Sequence, residues 1–144
     1  YTDAPKETFA SVSTLHLANS NATQENYHAL SYFTTLVTLD LSNANLFDLS
    51  FLENCPTIKS LVMDNNAELT NTDNGLTLYN TFEKLKNLEK LSIIGSFSCF
   101  DRTSYNMLTS IVKRQNLFLN SDNIIYLYRL NGIYLRRLLH WLLI

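Results

Sequence analysis

The chain has 144 residues and a formal net charge of -2, from 11 Lys and Arg against 13 Asp and Glu. That length suits one domain with a sizeable buried core, and the small charge supplies no field to hold a polyanion, which excludes nucleic-acid binding by field alone. Apolar residues make up 46% and charged residues 17%, the balance of a folded chain and not of a disordered tail. Two cysteines, Cys55 and Cys99, are too few for a disulfide framework or a four-cysteine zinc site, and no motif calls for a metal or cofactor.

Only three glycines are present, whereas asparagines cluster as Asn19/Asn21, Asn43/Asn45 and Asn65/Asn66. Asn tolerates left-handed backbone in turns, so Asn is expected to take glycine's place there. The chain opens at Tyr1 with neither Met nor a basic-then-apolar leader, which leaves a removed signal peptide and a start within a longer chain as two readings. No apolar run reaches the roughly 18 to 20 residues that span a bilayer, and Leu135 to Ile144 is broken by Arg136, Arg137 and His140. A membrane partner is not expected.

In chain order, residues 1–11 read as an N-terminal cap, with Pro5 and then Phe9 closing the first unit beside Val12. Val12, Leu15 and Leu17, with Ser20 five residues after Leu15, open a repeat. Leu36, Leu39, Leu41 and Leu46 give its best copy, at positions 1, 4, 6 and 11 of L-x-x-L-x-L-x-x-N-x-L, with Ala44 in the Asn position and Leu49 and Leu52 continuing it. Ile58, Leu61, Met63 and Asn66 form the next copy, and Leu88, Leu91, Ile93 and Ser96 another. A fifth copy runs through Leu117, Leu119, Asp122 and Ile124, with Arg114 in its first position. This spacing predicts strands at 14–18, 37–41, 59–63 and 89–93 in one parallel sheet. Positions 4 and 6 turn inward, and the ninth side chain bonds backbone at the bend. The long step from Leu61 to Leu91 holds an insertion, roughly Leu69 to Thr81, expected as a loop or a loop followed by a helix. After an IIYLYRL strand, Gly132 breaks the chain. Ile133, Leu135, Leu138, Leu139, Leu142 and Leu143 then recur at helical spacing opposite Arg136, Arg137 and His140.

The stretches TLVTLDLSNANL, TIKSLVMDNN and NLEKLSIIGS resemble the leucine-rich-repeat superfamily, over roughly Phe9 to Ile124. Steps within about 20 to 29 residues suit that family. Two features depart from it: Asn66 is the one Asn at a ninth position, and no cysteine-rich cap motif flanks the array. The resemblance implies an α/β solenoid with a concave parallel sheet, an irregular convex side and a C-terminal capping helix. It implies a single domain over 1–144, with residues 12–124 forming the repeats and 125–144 the terminal strand and helix. Such solenoids bind partners in the concavity.

On that face, position 5 of successive repeats gives the row His16, Asp40, Val62, Ser92 and Phe118, and position 7 gives Ala18, Ser42, Asp64, Ile94 and Asn120. The functional reading is a strip, with Ser42 and Ser92 among its members, in which His16, Asp40 and Asp64 orient a protein or peptide while Val62, Ile94 and Phe118 bury it. The plain alternative is a solvated sheet face with one ion pair worth roughly 0 to 1 kcal/mol. His16, Asp40 and Ser42 invite comparison with a catalytic triad. An open sheet that cannot exclude water, with no G-x-S-x-G turn, speaks against an enzyme. Cys55 and Cys99 fall at different phases of the repeat, so free thiols are expected. Asn21-Ala22-Thr23 is a glycosylation sequon in the loop after the first strand. The expected function is therefore protein recognition by a secreted or host-facing chain. The alternatives are a cytoplasmic scaffold subunit of a larger assembly, or a membrane-surface protein acting through its C-terminal helix. Leu135, Leu138, Leu139 and Leu142 offer a surface for self-association.

Overall fold

The computed structural model describes residues 9–69, 76–97, 110–114 and 117–120. Five strands, β1 (Thr14–His16), β2 (Thr38–Asp40), β3 (Ser60–Val62), β4 (Lys90–Ser92) and β5 (Phe118–Asn120), form one parallel sheet in the order β1-β2-β3-β4-β5. β1 to β4 are the three-residue cores of the stretches that the leucine spacing predicts. Their register places Leu15, Leu39, Leu61, Leu91 and Leu119 in one line across the sheet. Alternation along a strand sends this line to one face and its neighbours to the other. Leu39, Leu61, Leu91 and Leu119 are buried, as are Leu41, Met63 and Ile93 two residues farther on in the middle three repeats.

The chain returns between strands through short helical turns: η1 (Gln24–Tyr32) and η2 (Ser50–Asn54), both 3₁₀, and α1 (Leu76–Lys84). A 3₁₀ helix has three residues per turn, so every third side chain lies on one line. Leu49, Leu52 and Cys55 follow that spacing, as do Tyr27 and Leu30, and all five are buried. The aliphatic run at 46, 49 and 52 thus encodes the winding of its return segment. In η2 the Asp48 carboxylate accepts the Ser50 N–H at 3.1 Å and the Ser50 hydroxyl at 2.5 Å. The insertion before β4 takes the second of its two expected forms in the part described, since Leu76–Lys84 is helical and buries Phe82.

Leu15 and Leu17 are only partly buried, unlike their counterparts in the inner strands. Phe9 packs against Phe33, with ring centroids 5.0 Å apart and planes tilted by 54°. The rest of the expected N-terminal cap, the turn at Asn71 to Asn74, Asp122 and Ile124 of the fifth copy, the IIYLYRL strand and the C-terminal helix lie outside the described residues.

One expectation is corrected. Leu119, not Leu117, lies opposite Leu91, and Phe118 lies opposite Lys90, so the fifth copy sits two residues later than the leucine pattern places it. Phe118 is therefore beside Lys90 and outside the His16 row, and Asn120 takes the place beside Ser92. Arg114 is not a repeat-opening position. It ends the helical stretch 110–114, where its guanidinium donates to Glu83 Oε1 and to the Tyr79 hydroxyl, each at 3.0 Å. These contacts tie the return segment before β5 to α1.

The outer face of the sheet as candidate functional site

The face opposite the buried leucines carries two rows of side chains across the strands. Thr14, Thr38, Ser60, Lys90 and Phe118 form one row, and His16, Asp40, Val62, Ser92 and Asn120 the next. The first of these rows did not enter the sequence argument, although its residues share the parity of positions 5 and 7 and so face the same way. Val62, Ser92 and Ile94 are half-buried, held by their neighbours yet open on one side.

Two aspartates organise the polar half. Asp40 Oδ1 accepts the Ser42 N–H at 2.9 Å and the Ser42 hydroxyl at 2.7 Å. Asp64 Oδ1 reaches across to the next strand, accepting the Ser92 hydroxyl at 2.7 Å and the Ile94 N–H at 2.8 Å. Backbone joins the two groups, because Asn43 N–H donates to Asp64 O at 2.8 Å. His16 Nδ1 stands 4.0 Å from Asp40 Oδ2, with 71% of the His16 side chain exposed. That distance is too long for a hydrogen bond, and the pair is a loose surface contact. Ser42 bonds Asp40 directly, with no imidazole between them.

The turns that end the strands fix where these side chains point. Asn19, Asn43, Asn65 and Gly95 occupy the same place in four consecutive repeats, and all have positive φ, between 50° and 72°. The expectation that Asn stands in for Gly holds at three of those four turns. Asn43 Nδ2 donates to Asn19 Oδ1 at 2.8 Å, linking two of them. One residue later, the buried Asn66 uses its whole amide: Oδ1 accepts Ala44 N–H and Leu46 N–H, both at 3.1 Å. Its Nδ2 faces Leu41 O, Met63 O and Asp64 O at 3.0, 3.1 and 3.3 Å. Ser96, its counterpart in the following repeat, accepts Asn66 N–H at 2.8 Å and donates to Met63 O at 2.6 Å. The ninth position thus bonds backbone at the bend as its pattern predicts. Where Ala44 cannot do so, Tyr27 donates its hydroxyl to Ala44 O at 2.7 Å. Nothing in the repeat pattern signals that substitute.

Elsewhere, Asn21 of the sequon is exposed, in the loop between β1 and η1. Cys55 is a free, buried thiol whose ionisation burial pushes up to about 11, so it is a packed apolar group and not a nucleophile. Cys99 lies outside the described residues. Among the described residues, no three His, Cys, Asp or Glu side chains gather closely enough to hold a metal ion, and no helix is long and apolar enough to cross a membrane. Comparison of the chain with protein-family models, curated proteins and solved structures gives no significant match.

Proposed function

We propose that the chain is a leucine-rich-repeat solenoid that recognises a protein or peptide on the concave, outer face of its sheet and catalyses no reaction. The observation that supports this is the division of labour across one sheet. Leu39, Leu61, Leu91 and Leu119 are sealed inside, while Asp40, Ser42, Asp64 and Ser92 are cross-bonded into a fixed polar patch beside Val62 and Ile94. A patch on backbone that the ladder already holds loses little entropy when a partner docks. The direct Ser42–Asp40 bond argues against hydrolysis, because a triad needs the imidazole between hydroxyl and carboxylate. The exposed Asn21 sequon favours a secreted or host-facing chain over a cytoplasmic scaffold subunit.

The test is affinity capture with the folded chain and three variants. Asp40→Arg and Val62→Arg should keep the parent's circular dichroism and lose the captured partner. Lys86→Glu, in the turn after α1, should keep both. If the first two variants fold and capture like the parent, the outer face is not the binding surface.

A further inference from the structure

We infer that the occupant of this face is an extended cationic segment, with Arg or Lys at alternate positions seated against Asp40 and Asp64. The inference rests on the outer-face reading above and names the chemistry of the partner.

Three observations carry it. The first is the state of the two carboxylates. Each is tied down through Oδ1 by a hydroxyl and a backbone N–H, which leaves Oδ2 turned away from those bonds. Asp40 Oδ2 has the loose His16 contact at 4.0 Å. Carboxylates already fixed by neutral donors retain their charge for a partner and need no reordering to meet one. The second is spacing. Asp40 is paired with Val62, and Asp64 stands two residues beyond Val62, so the aspartates are offset by one strand and two residues, roughly 8 Å on the diagonal. Side chains i and i+2 of an extended chain share a face and lie roughly 7 Å apart. One strand-like segment can therefore satisfy both, with Val62 beneath its backbone.

The third is the field around the pair. From Phe9 to Leu69 the chain carries Glu25, Asp40, Asp48, Glu53, Asp64 and Glu68 against Lys59, with Lys59 paired to Glu89 at 3.5 Å and Glu53 paired to Lys84. Beyond Leu76 the described balance reverses, with Lys84, Lys86, Lys90, Lys113 and Arg114 against Glu83 and Glu89. No Lys or Arg occupies the rows of His16 and Ala18 in the first four repeats. Among the described residues the charge is thus unevenly spread along the sheet, and the β1 to β3 end draws cations.

The experiment uses a seven-residue fluorescein-labelled peptide of Ser and Ala with Arg at its third and fifth positions, and a counterpart with Glu there. Fluorescence anisotropy is read at low and at physiological salt. The Arg peptide should bind, weaken as salt rises, and lose about tenfold in affinity to the double variant Asp40→Asn/Asp64→Asn. Both asparagines keep an Oδ1 acceptor for the bonds that shape the patch. Removing two carboxylates from the same end of the molecule but off the face, by Glu25→Gln/Glu68→Gln, should change affinity less than twofold. Equal losses in the two double variants, or no binding of the Arg peptide, overturn the inference. Preference for the Glu peptide, blocked by Val62→Arg, overturns the cationic partner while leaving the outer-face reading standing.

Discussion

Gly95 lies against Asn65: a Cβ built on Gly95 would stand 2.6 Å from Asn65 Oδ1. Gly95 also has φ of +72°, so two separate constraints meet at one residue, the left-handed backbone and the neighbour's amide. Gly95→Ala should cost about 1 to 3 kcal/mol in urea denaturation. Adding Asn65→Gly removes the amide but not the backbone constraint, so the double variant should recover part of that loss. Full additivity would show that the two residues do not press on each other.

Asn66 is buried and makes five side-chain hydrogen bonds to backbone. Asn66→Ala should cost about 2 to 4 kcal/mol by leaving those backbone groups unpaired. Asn66→Asp should be at least as damaging at neutral pH, because a carboxylate would face three carbonyl oxygens with no proton to offer. Thermal melts of the two variants compare them directly.

Leu61 and Leu15 hold the same place in the repeat, yet one is buried and the other only partly so. Leu61→Ala should cost about 2 to 5 kcal/mol. Leu15→Ala should cost less than half as much, since water already reaches that site. Equal losses on denaturant titration would mean that the first repeat is packed as tightly as the third.

Two of the described groups make stability depend on pH. Burial holds the Cys55 thiol neutral up to about 11, above its usual 9.0. The stability this confers is whole below pH 9 and is lost as pH rises from there toward 11. Asp48 is displaced the other way, first by the Ser50 hydroxyl bond and then by the Ser50 and Leu49 N–H groups and His28. Its contribution is present above the ordinary carboxylate range and is lost as pH falls through that range. Cys55→Ala should flatten the alkaline limb of a stability–pH curve and Asp48→Asn the acid limb, each leaving the other unchanged. In addition, native protein at pH 8 should leave Cys55 unmodified by a thiol reagent that labels it once the chain is unfolded.

Much of this architecture was legible because each of β1 to β4 announces itself twice, by the leucines on its inner face and by the Asn or Gly that ends it. The rows of His16 and Ala18 at β1 to β4 followed directly, since alternation fixes parity once the leucines are placed. The fifth strand did not follow. Leu117 and Leu119 are spaced like positions 4 and 6, so the apolar pattern favours the register two residues earlier, and both leucines are in fact buried. What separates the registers is hydrogen bonding, with Phe118 N–H donating to Glu89 O at 2.8 Å. The engagement of Arg114 by Glu83 and Tyr79 adds to it, and neither contact has a periodic signature. The bonds that fix the patch, Asp40 to Ser42 and Asp64 to Ser92, were hidden for a related reason: spacing brings residues near one another without saying which oxygen takes which proton.

Because the sheet runs in strict chain order, each strand has only its predecessor and successor beside it, and nothing in the ladder specifies how many strands there should be. Excision of residues 38–59 would join Val37 to Ser60 and bring Leu61 opposite Leu15 with the leucine phase intact. The shortened chain would keep Asp64 with its serine and lose Asp40 with its own. Recombination within such a gene can therefore rewrite the outer face one strand at a time while the β3–β4 and β4–β5 pairings stay as they were, which makes what that face displays more changeable than the fold that displays it.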